Sequence, residues 1–439
     1  MRGAPAVAPV GGIASYTAVL IHLAAATLFF SAVAGSVQAQ EAAVRRLTAS
    51  AAFQAATAQL ARDHERTVSD TIALTEIPAP PFKEAARARA YMQMLRDHGL
   101  SDVEIDAEGN VMGLRRGTGP AGGPVVAIAA HLDTVFPEGP IKVRRDGDRL
   151  HAPGIGDNSH SLAVLLAYVR ALDAAGIRTR RDILFVGDVG EEGPGDLRGM
   201  RALFAGRYKD RITAFFAMDG LDAARIVNTA VGSRRYRVTF RGPGGHSYGA
   251  FGLVNPMAAM AAAVVEMNKI VPPRSPRTTY ATTMVGGGTS VNAIPEAIWL
   301  EVDMRSESAA ELARLDARFL EIVKTAVAAE NAARSTRAGE VRAEVTQIGD
   351  RPAGVTSEDA AIVRAAKAAA VAAGFTPELA SGSTDANLPI SLGIPAVTIA
   401  SGGAGGRAHA PDEWIELDPA KTWRGQSVGL AALVVMADQ

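Results

Sequence analysis

Val125-Val126-Ala127-Ile128-Ala129-Ala130-His131-Leu132-Asp133-Thr134-Val135 is an apolar run, rich in Val and Ile, that follows the turn Ala121-Gly122-Gly123-Pro124 and ends abruptly in a histidine and a carboxylate. A short run of this kind, bounded by glycine and proline, predicts a buried central strand of a parallel or mixed sheet rather than a helix. Open α/β sheets bind their ligands outside the carboxyl ends of such strands, so the polar residues at this end are expected in a cleft. Side chains two apart in a strand point the same way, which puts Asp133 where it orients the His131 imidazole or shares its ligand. Taken alone, a His-x-Asp at a strand end reads far more readily as a satisfied structural pair. The rest of the chain has to supply the chemistry.

The 439-residue chain, 48% hydrophobic and 21% charged, has the composition of a folded globular protein with room for two or three domains. A formal net charge of -1 gives no electrostatic case for binding nucleic acid or an anionic membrane, local patches aside. The absence of cysteine excludes disulfides, thiolate metal sites and cysteine nucleophiles, so any metal has to be held by His, Asp and Glu. The first 40 residues have the layout of a targeting segment: Arg2, a charge-free apolar stretch from about Thr17 to Gly35, then Val37-Gln38-Ala39 with small residues where a signal peptidase cuts. Export to the periplasm or the medium is the expectation, and an uncleaved membrane anchor is the alternative.

Around the opening run the pattern is α/β. An Ala-rich helical stretch from Ala42 to about Leu74 stops at Pro78-Ala79-Pro80-Pro81, and a second helix from about Lys83 to His98 ends at Gly99. Val103 to Asp106 and Asn110 to Leu114 read as an extended pair leading into the central strand. Downstream, the glycine-bearing loop Arg149 to Ser159 sets Asp157 at a loop-to-helix junction, where an acid serves equally as a helix cap. The strand Asp182 to Gly187 leads to Glu191-Glu192 between glycines. Adjacent carboxylates there repel each other unless a cation offsets the charge, and one can bind metal while the other serves as a base. The strand Ala214 to Met218 ends in Asp219, and the glycine-rich loop Ser401 to Gly406 leads to His409.

From about Gly232 the character changes. Strands at 234–240, 278–285, 297–304 and 341–348 alternate with helices at 255–270 and 307–333, an order βαββαβ that predicts a ferredoxin-like unit. The expected organisation is therefore a mixed-sheet α/β catalytic domain in two parts, 41–231 and 349–439, with an inserted domain at 232–348.

Taken together, His131, Asp133, Asp157, Glu191, Glu192, Asp219 and His409 resemble the metal-site pattern of the di-zinc metallopeptidase family that includes peptidase T, glutamate carboxypeptidase, aminoacylase and succinyl-diaminopimelate desuccinylase. The resemblance covers nearly everything after the targeting segment. Supporting it are Asn110-Val111, Gly242-Pro243-Gly244-Gly245-His246-Ser247, Gly287 to Pro295, and Asp303-Met304-Arg305. It implies two zinc ions, with cobalt or manganese as alternatives, bridged by Asp157. His131 and Asp219 would complete one ion's protein ligands, and Glu192 and His409 the other's. It further implies Glu191 as the general base, Asp133 as the partner that orients His131, and His246, Asn292 and Arg305 as substrate-binding residues of the insert. In dimeric relatives the counterpart of His246 reaches the partner's site, so a homodimer through the insert is expected.

The sequence departs from the family pattern at Ser161, where relatives often have glycine, and carries Asp219 where the deacylase and carboxypeptidase branches usually have Glu. The second feature tilts the expectation towards a short-peptide aminopeptidase. An N-acyl-amino-acid deacylase or carboxypeptidase is the alternative, and a binding protein without turnover is a third reading that the presence of Glu191 disfavours.

Overall fold

A computed structural model of the chain describes residues 39–439 together with Met1 and Gly3. The expected targeting segment lies almost wholly outside these residues. Among the described residues no helix is long and apolar enough to cross a membrane.

The opening run forms the strand Val125–His131, every residue of which is buried. In chain order, the strands of the main sheet are β1 (Ser101–Ile105), β2 (Val111–Arg115), β3 (Val125–His131), β4 (Asp182–Asp188), β5 (Ile212–Met218) and β6 (Arg225–Ala230). A second set, β7 (Gly232–Arg241), β8 (Thr278–Gly287), β9 (Ala297–Ser306) and β10 (Arg342–Arg351), belongs to another sheet. The chain then returns to the main sheet with β11 (Gly354–Val355), β12 (Glu378–Gly382) and β13 (Ala396–Ile399). The main sheet has the order β1-β2-β4-β3-β5-β13-β6-β11, with β12 also paired to β6.

Strands β4, β3, β5 and β13 run parallel at the centre, and β1 and β2 are antiparallel at one edge. The sheet is thus mixed, as expected. Alternate residues of β3 enter two different cores. Val126, Ile128 and Ala130 join one with the helices His160–Ala174, Ala361–Ala372 and Thr422–Ala437, while Val125, Ala127 and Ala129 join the other with Met200 and Leu203. Both faces being covered is why the run is continuously apolar instead of alternating.

The Ala-rich pattern before Leu74, expected as one helix, is three: 39–49, Ala51–Arg62 and His64–Thr75. Ser50 separates the first two and caps the second, its Oγ accepting the Phe53 N–H at 3.1 Å, and Asp63 marks the other break.

Strands β7 to β10 form an antiparallel sheet in the order β8-β9-β7-β10. The helices Pro256–Met267 and Ala309–Ala333 pack on it through Val238, Phe240, Leu300, Met304 and Phe319, so this sheet has a core of its own. The strand expected over 341–348 runs on to Arg351. The two connections to the main sheet lie side by side, since a Cβ on Gly232 would come within 2.6 Å of the Ala353 nitrogen.

A small sheet pairs Ala404–Gly406, Trp414–Glu416, Arg149–His151 and Arg144–Asp146 in that order. Part of the sequence read as glycine-rich loop is thus strand. It brings the His409 loop against the Asp157 loop.

Candidate metal centre and active site

Six potential ligands come together, four of them at the carboxyl ends of three neighbouring parallel strands. His131 is the last residue of β3, Asp219 follows β5 directly, and Glu191 and Glu192 lie just beyond β4. Asp157 enters from the loop before the helix His160–Ala174, and His409 from the loop after Ala404–Gly406. Among the described residues three triads emerge, His131–Asp157–Asp219, Asp157–Glu192–His409 and His131–Glu191–Glu192, each with ligand atoms within 4.8 Å of one another. Asp157 belongs to the first two. Its Oδ1 lies 3.0 Å from His131 Nε2 and its Oδ2 3.1 Å from His409 Nε2, which is also 2.9 Å from Glu192 Oε1.

The electrostatics are those of too much charge in too little water. Burial, then the neighbouring Asp157 and Glu191 carboxylates, pushes Glu192 up to about 8, and burial with Asp157 pushes Asp219 up to about 7. Burial also opposes ionisation of Asp157, but the hydrogen bonds from His131 and His409 outweigh it and hold this carboxyl well below the usual range. The hydrogen bond to Asp157 raises His409 to about 9. Protons on the imidazoles therefore balance the acids. Divalent cations would offset the same charge, and imidazole with carboxylate is a donor set that suits zinc.

The surrounding chain holds these groups in place. His131 Nδ1 lies 2.9 Å from the Asp133 main-chain oxygen and 3.7 Å from its carboxylate. The carbonyl of Asp133, not the carboxylate expected from sequence, therefore sets the ring. The Asp133 carboxylate instead accepts the N–H groups of Glu191 and Glu192, at 3.1 and 2.8 Å. Asn158 Nδ2 donates to the Met218 carbonyl at 2.9 Å, tying the Asp157 loop to the strand that ends at Asp219. His409 has φ +65°, a left-handed conformation that a non-glycine residue adopts at a cost, and such strain gathers at working sites.

Asp157, Glu191, Glu192, Asp219 and His409 line a cleft of about 520 Å³ that also receives Arg235, Arg305 and Arg351 from the second sheet. Arg305 Nε is 2.8 Å from Asp303, which also meets Arg235 at 3.3 Å. His246 and Asn292 are elsewhere. They occupy an exposed ribbon in which Gly245–His246 pairs with Ala293–Ile294, and neither is among the residues that line this cleft. His246 Nδ1 accepts the Tyr248 and Gly249 N–H groups, both at 3.3 Å, which leaves Nε2 as the nitrogen able to donate.

Other functional residues escape sequence reasoning. The Glu413 carboxylate, 2% exposed, accepts three amides: Gly154 N–H at 2.9 Å, Gly156 N–H at 2.8 Å and Asp157 N–H at 2.9 Å. Burial pushes this carboxyl up to about 7, but all three contacts are donors, so the cradle suits the ionised form. Gly154, at φ +72°, can be nothing larger, since a Cβ there would meet Thr134 Cγ2 at 2.5 Å. Arg351 bonds Glu191 directly, with Nη1 2.8 Å from Oε1. Beneath the cleft Asp188 and Asp385 form a buried acidic pair, and burial raises both, Asp188 to about 7. Glu413 lies four residues past His409 in an acidic loop, the one signal that could have found it; an arginine at a strand end carries none.

Residues 127–428 match the sequence profile of peptidase family M20/M25/M40. Over 130 residues the chain is 35% identical to a Pyrococcus abyssi protein provisionally assigned as a LysW-lysine/LysW-ornithine hydrolase. That stretch is 30% of this chain and 34% of the relative, so the chain spans about a third of the length of the curated relative it matches. The crystal structure of aminopeptidase PepT from Bacillus cereus superposes with a TM-score of 0.69 at 23% identity, over 85% of this chain and 99% of that one. Bacillus subtilis YxeP, described as a dinuclear metal binding peptidase, gives 0.61 at 19% identity over 85% and 99%. At these identities the two likenesses establish the fold.

Proposed function

Since the chain belongs to peptidase family M20/M25/M40 and is a hydrolytic enzyme, we propose that it is an exported metallohydrolase cleaving an amide or peptide bond of a small amino-acid-derived substrate, short peptides attacked from the amino terminus being the leading case. The observation that carries this reading is the sharing of Asp157 between two ligand triads. His131, Asp157 and Asp219 would hold one divalent cation and Asp157, Glu192 and His409 the other, with zinc expected and cobalt or manganese as alternatives. Such a pair of cations polarises a scissile carbonyl and lowers the pKa of an attacking water.

The chain's own residues supply the rest. Glu191 takes the water's proton and delivers it to the leaving nitrogen, and its carboxylate lies within 4.8 Å of ligand atoms of His131 and Glu192. Asp133 aligns the Glu191–Glu192 backbone. Arg305, which lines the cleft, offers a guanidinium to a substrate carboxylate. We assign His246 and Asn292 to the cleft of a partner subunit in a homodimer formed through the inserted domain, with the His246 Nε2–H as a donor to the oxyanion. What supports this is that both residues lie in one exposed ribbon away from the cleft of their own chain.

The aspartate at position 219, shared with the peptidase T branch, favours aminopeptidase action. The second reading, an N-acyl-amino-acid deacylase or carboxypeptidase on the same site, draws on the curated relative assigned as a LysW-lysine/LysW-ornithine hydrolase. Export rests on the apolar segment and small-residue cleavage pattern of the first 40 residues.

The test is metal content by elemental analysis of the purified chain, run beside hydrolysis of dipeptides, tripeptides and acyl-amino acids before and after chelation. Two metals per chain with chelator-sensitive peptide cleavage is the expected result. Deacylation alone would select the second reading, and no turnover after zinc is restored would sink both. Glu191→Gln should abolish hydrolysis while leaving the metal bound.

A further inference from the structure

Arg351 is the last residue of β10 and thus ends the second sheet, where it pairs with Ser233. Its side chain leaves that sheet and enters the catalytic loop beyond β4. Nη1 donates to Glu191 Oε1 at 2.8 Å and to Ser383 Oγ at 3.3 Å, and Nη2 donates to the main-chain oxygen of Glu191. The arginine is 4% exposed and Glu191 5%, so the pair is out of water and its geometry is fixed.

The loop is tethered to the same sheet at further points. The Asp350 N–H donates to both oxygens of Asp196, at 3.0 and 3.1 Å, and Arg201 donates to the Asp350 carbonyl. Arg235, on β7, reaches the Gly193 carbonyl at 3.3 Å. A bond that only joined the two sheets would be served by these surface contacts. Among the described contacts from the second sheet, that of Arg351 is the one that reaches the proposed base, by one carboxylate oxygen and by its main-chain carbonyl.

We propose that Arg351 is a positioning residue for the hydrolytic reaction: it holds Glu191 by Oε1 and by its main-chain carbonyl, so that Oε2 is presented to the attacking water. The assignment rests on the reading of Glu191 as the base. A general base works only within hydrogen-bond reach of the proton it takes, so a carboxylate free to swing loses catalysis without losing substrate. Because the guanidinium comes from the second sheet, the base is aligned only while that sheet sits against the loop. A lysine has one nitrogen and cannot make the two-pronged contact.

The experiment compares the full-length, metal-loaded wild type with Arg351→Ala, Arg351→Lys and Glu191→Gln on the best substrate of the panel. Arg351→Ala is expected to lower kcat roughly 100-fold with KM and metal content unchanged. Added methylguanidinium should restore about tenfold of that loss, whereas methylammonium should not. Arg351→Lys, which keeps the buried charge and guards against a folding failure of the alanine variant, should lose about tenfold in kcat. Wild-type kcat in Arg351→Lys or Arg351→Ala would overturn the proposal. So would a loss that comes with missing metal and no rescue, which would mark a purely structural tether. Full turnover in Glu191→Gln would sink the base assignment itself and leave Arg351 nothing to position, an outcome read independently of the Arg351 variants.

Discussion

Glu413→Gln should loosen the metal centre without touching a ligand. In the native chain one carboxylate oxygen serves the Gly156 and Asp157 amides and the other the Gly154 amide. In the glutamine variant the carbonyl oxygen can keep its two donors, but an NH2 group then faces the Gly154 N–H and leaves it stranded, at about 1–3 kcal/mol. The two remaining bonds change from charged to neutral acceptors, at about 1 kcal/mol each. The sum is about 3–5 kcal/mol, divided between global stability and the shape of the loop that presents Asp157. If half or more falls on the loop, apparent zinc affinity drops about 10- to 100-fold, at about 1.4 kcal/mol per tenfold. Competition against a chromophoric chelator measures this, with urea unfolding of the same variant giving the remainder. Unchanged zinc affinity together with an unchanged unfolding midpoint would refute the reasoning, because the three bonds would then contribute nothing.

Other buried groups give equally direct tests. His160 is fully buried, bonded through Nδ1 to Thr71 Oγ1 at 3.1 Å, and burial followed by the nearby His64 charge pushes it down to about 4. Between about pH 4 and 6.5 the unfolded chain binds the extra proton, so this group's stabilisation is complete above its unfolded pKa and fades as pH falls towards 4. Relative to His160→Gln, the wild type should lose about 2–3 kcal/mol on going from pH 7 to 4.5, read as the pH dependence of the difference in urea unfolding. A flat difference would contradict the shift. Arg87, also fully buried, donates to the Ile77, Leu132 and Thr75 carbonyls beside the strand end that carries His131 and Asp133. Arg87→Met should cost about 2–4 kcal/mol in unfolding free energy by stranding those carbonyls, and a shift below about 0.5 kcal/mol would show that water replaces the arginine.

The parts of the site that were legible in the sequence are those governed by short-range pattern. An apolar run that stops at His131, and acids placed just past the strands at 191, 192 and 219, announce a cleft because strand ends and burial both leave marks in composition. Asp157 and His409, read in glycine-rich loops, joined them only through the family pattern. What stayed hidden depends on the backbone. Glu413, Arg351 and Arg87 work largely by bonding main-chain N–H and C=O groups, which every residue carries and no sequence marks. The Asp133 carboxylate went to the Glu191 and Glu192 amides instead of His131 for the same reason. Short strands such as Arg225–Ala230 and Ala404–Gly406 were missed because sheet neighbours, not local propensity, make them strands. The breaks at Ser50 and Asp63 lacked the proline or glycine that would have flagged them.

The cradle of Glu413 spans 259 residues of chain to reach Gly154. A ribosome that has made β3, β4, β5, the loop of Asp157 and both glutamates has still made only part of the proposed centre. His409 and the carboxylate that locks the Asp157 loop arrive only after the whole second sheet has been made. Loop closure over such distances is slow relative to local folding. The proposed centre therefore closes only once His409 and Glu413 have been made, and a chain that stops before them keeps strands β1 to β5 but lacks both contacts to the Asp157 loop.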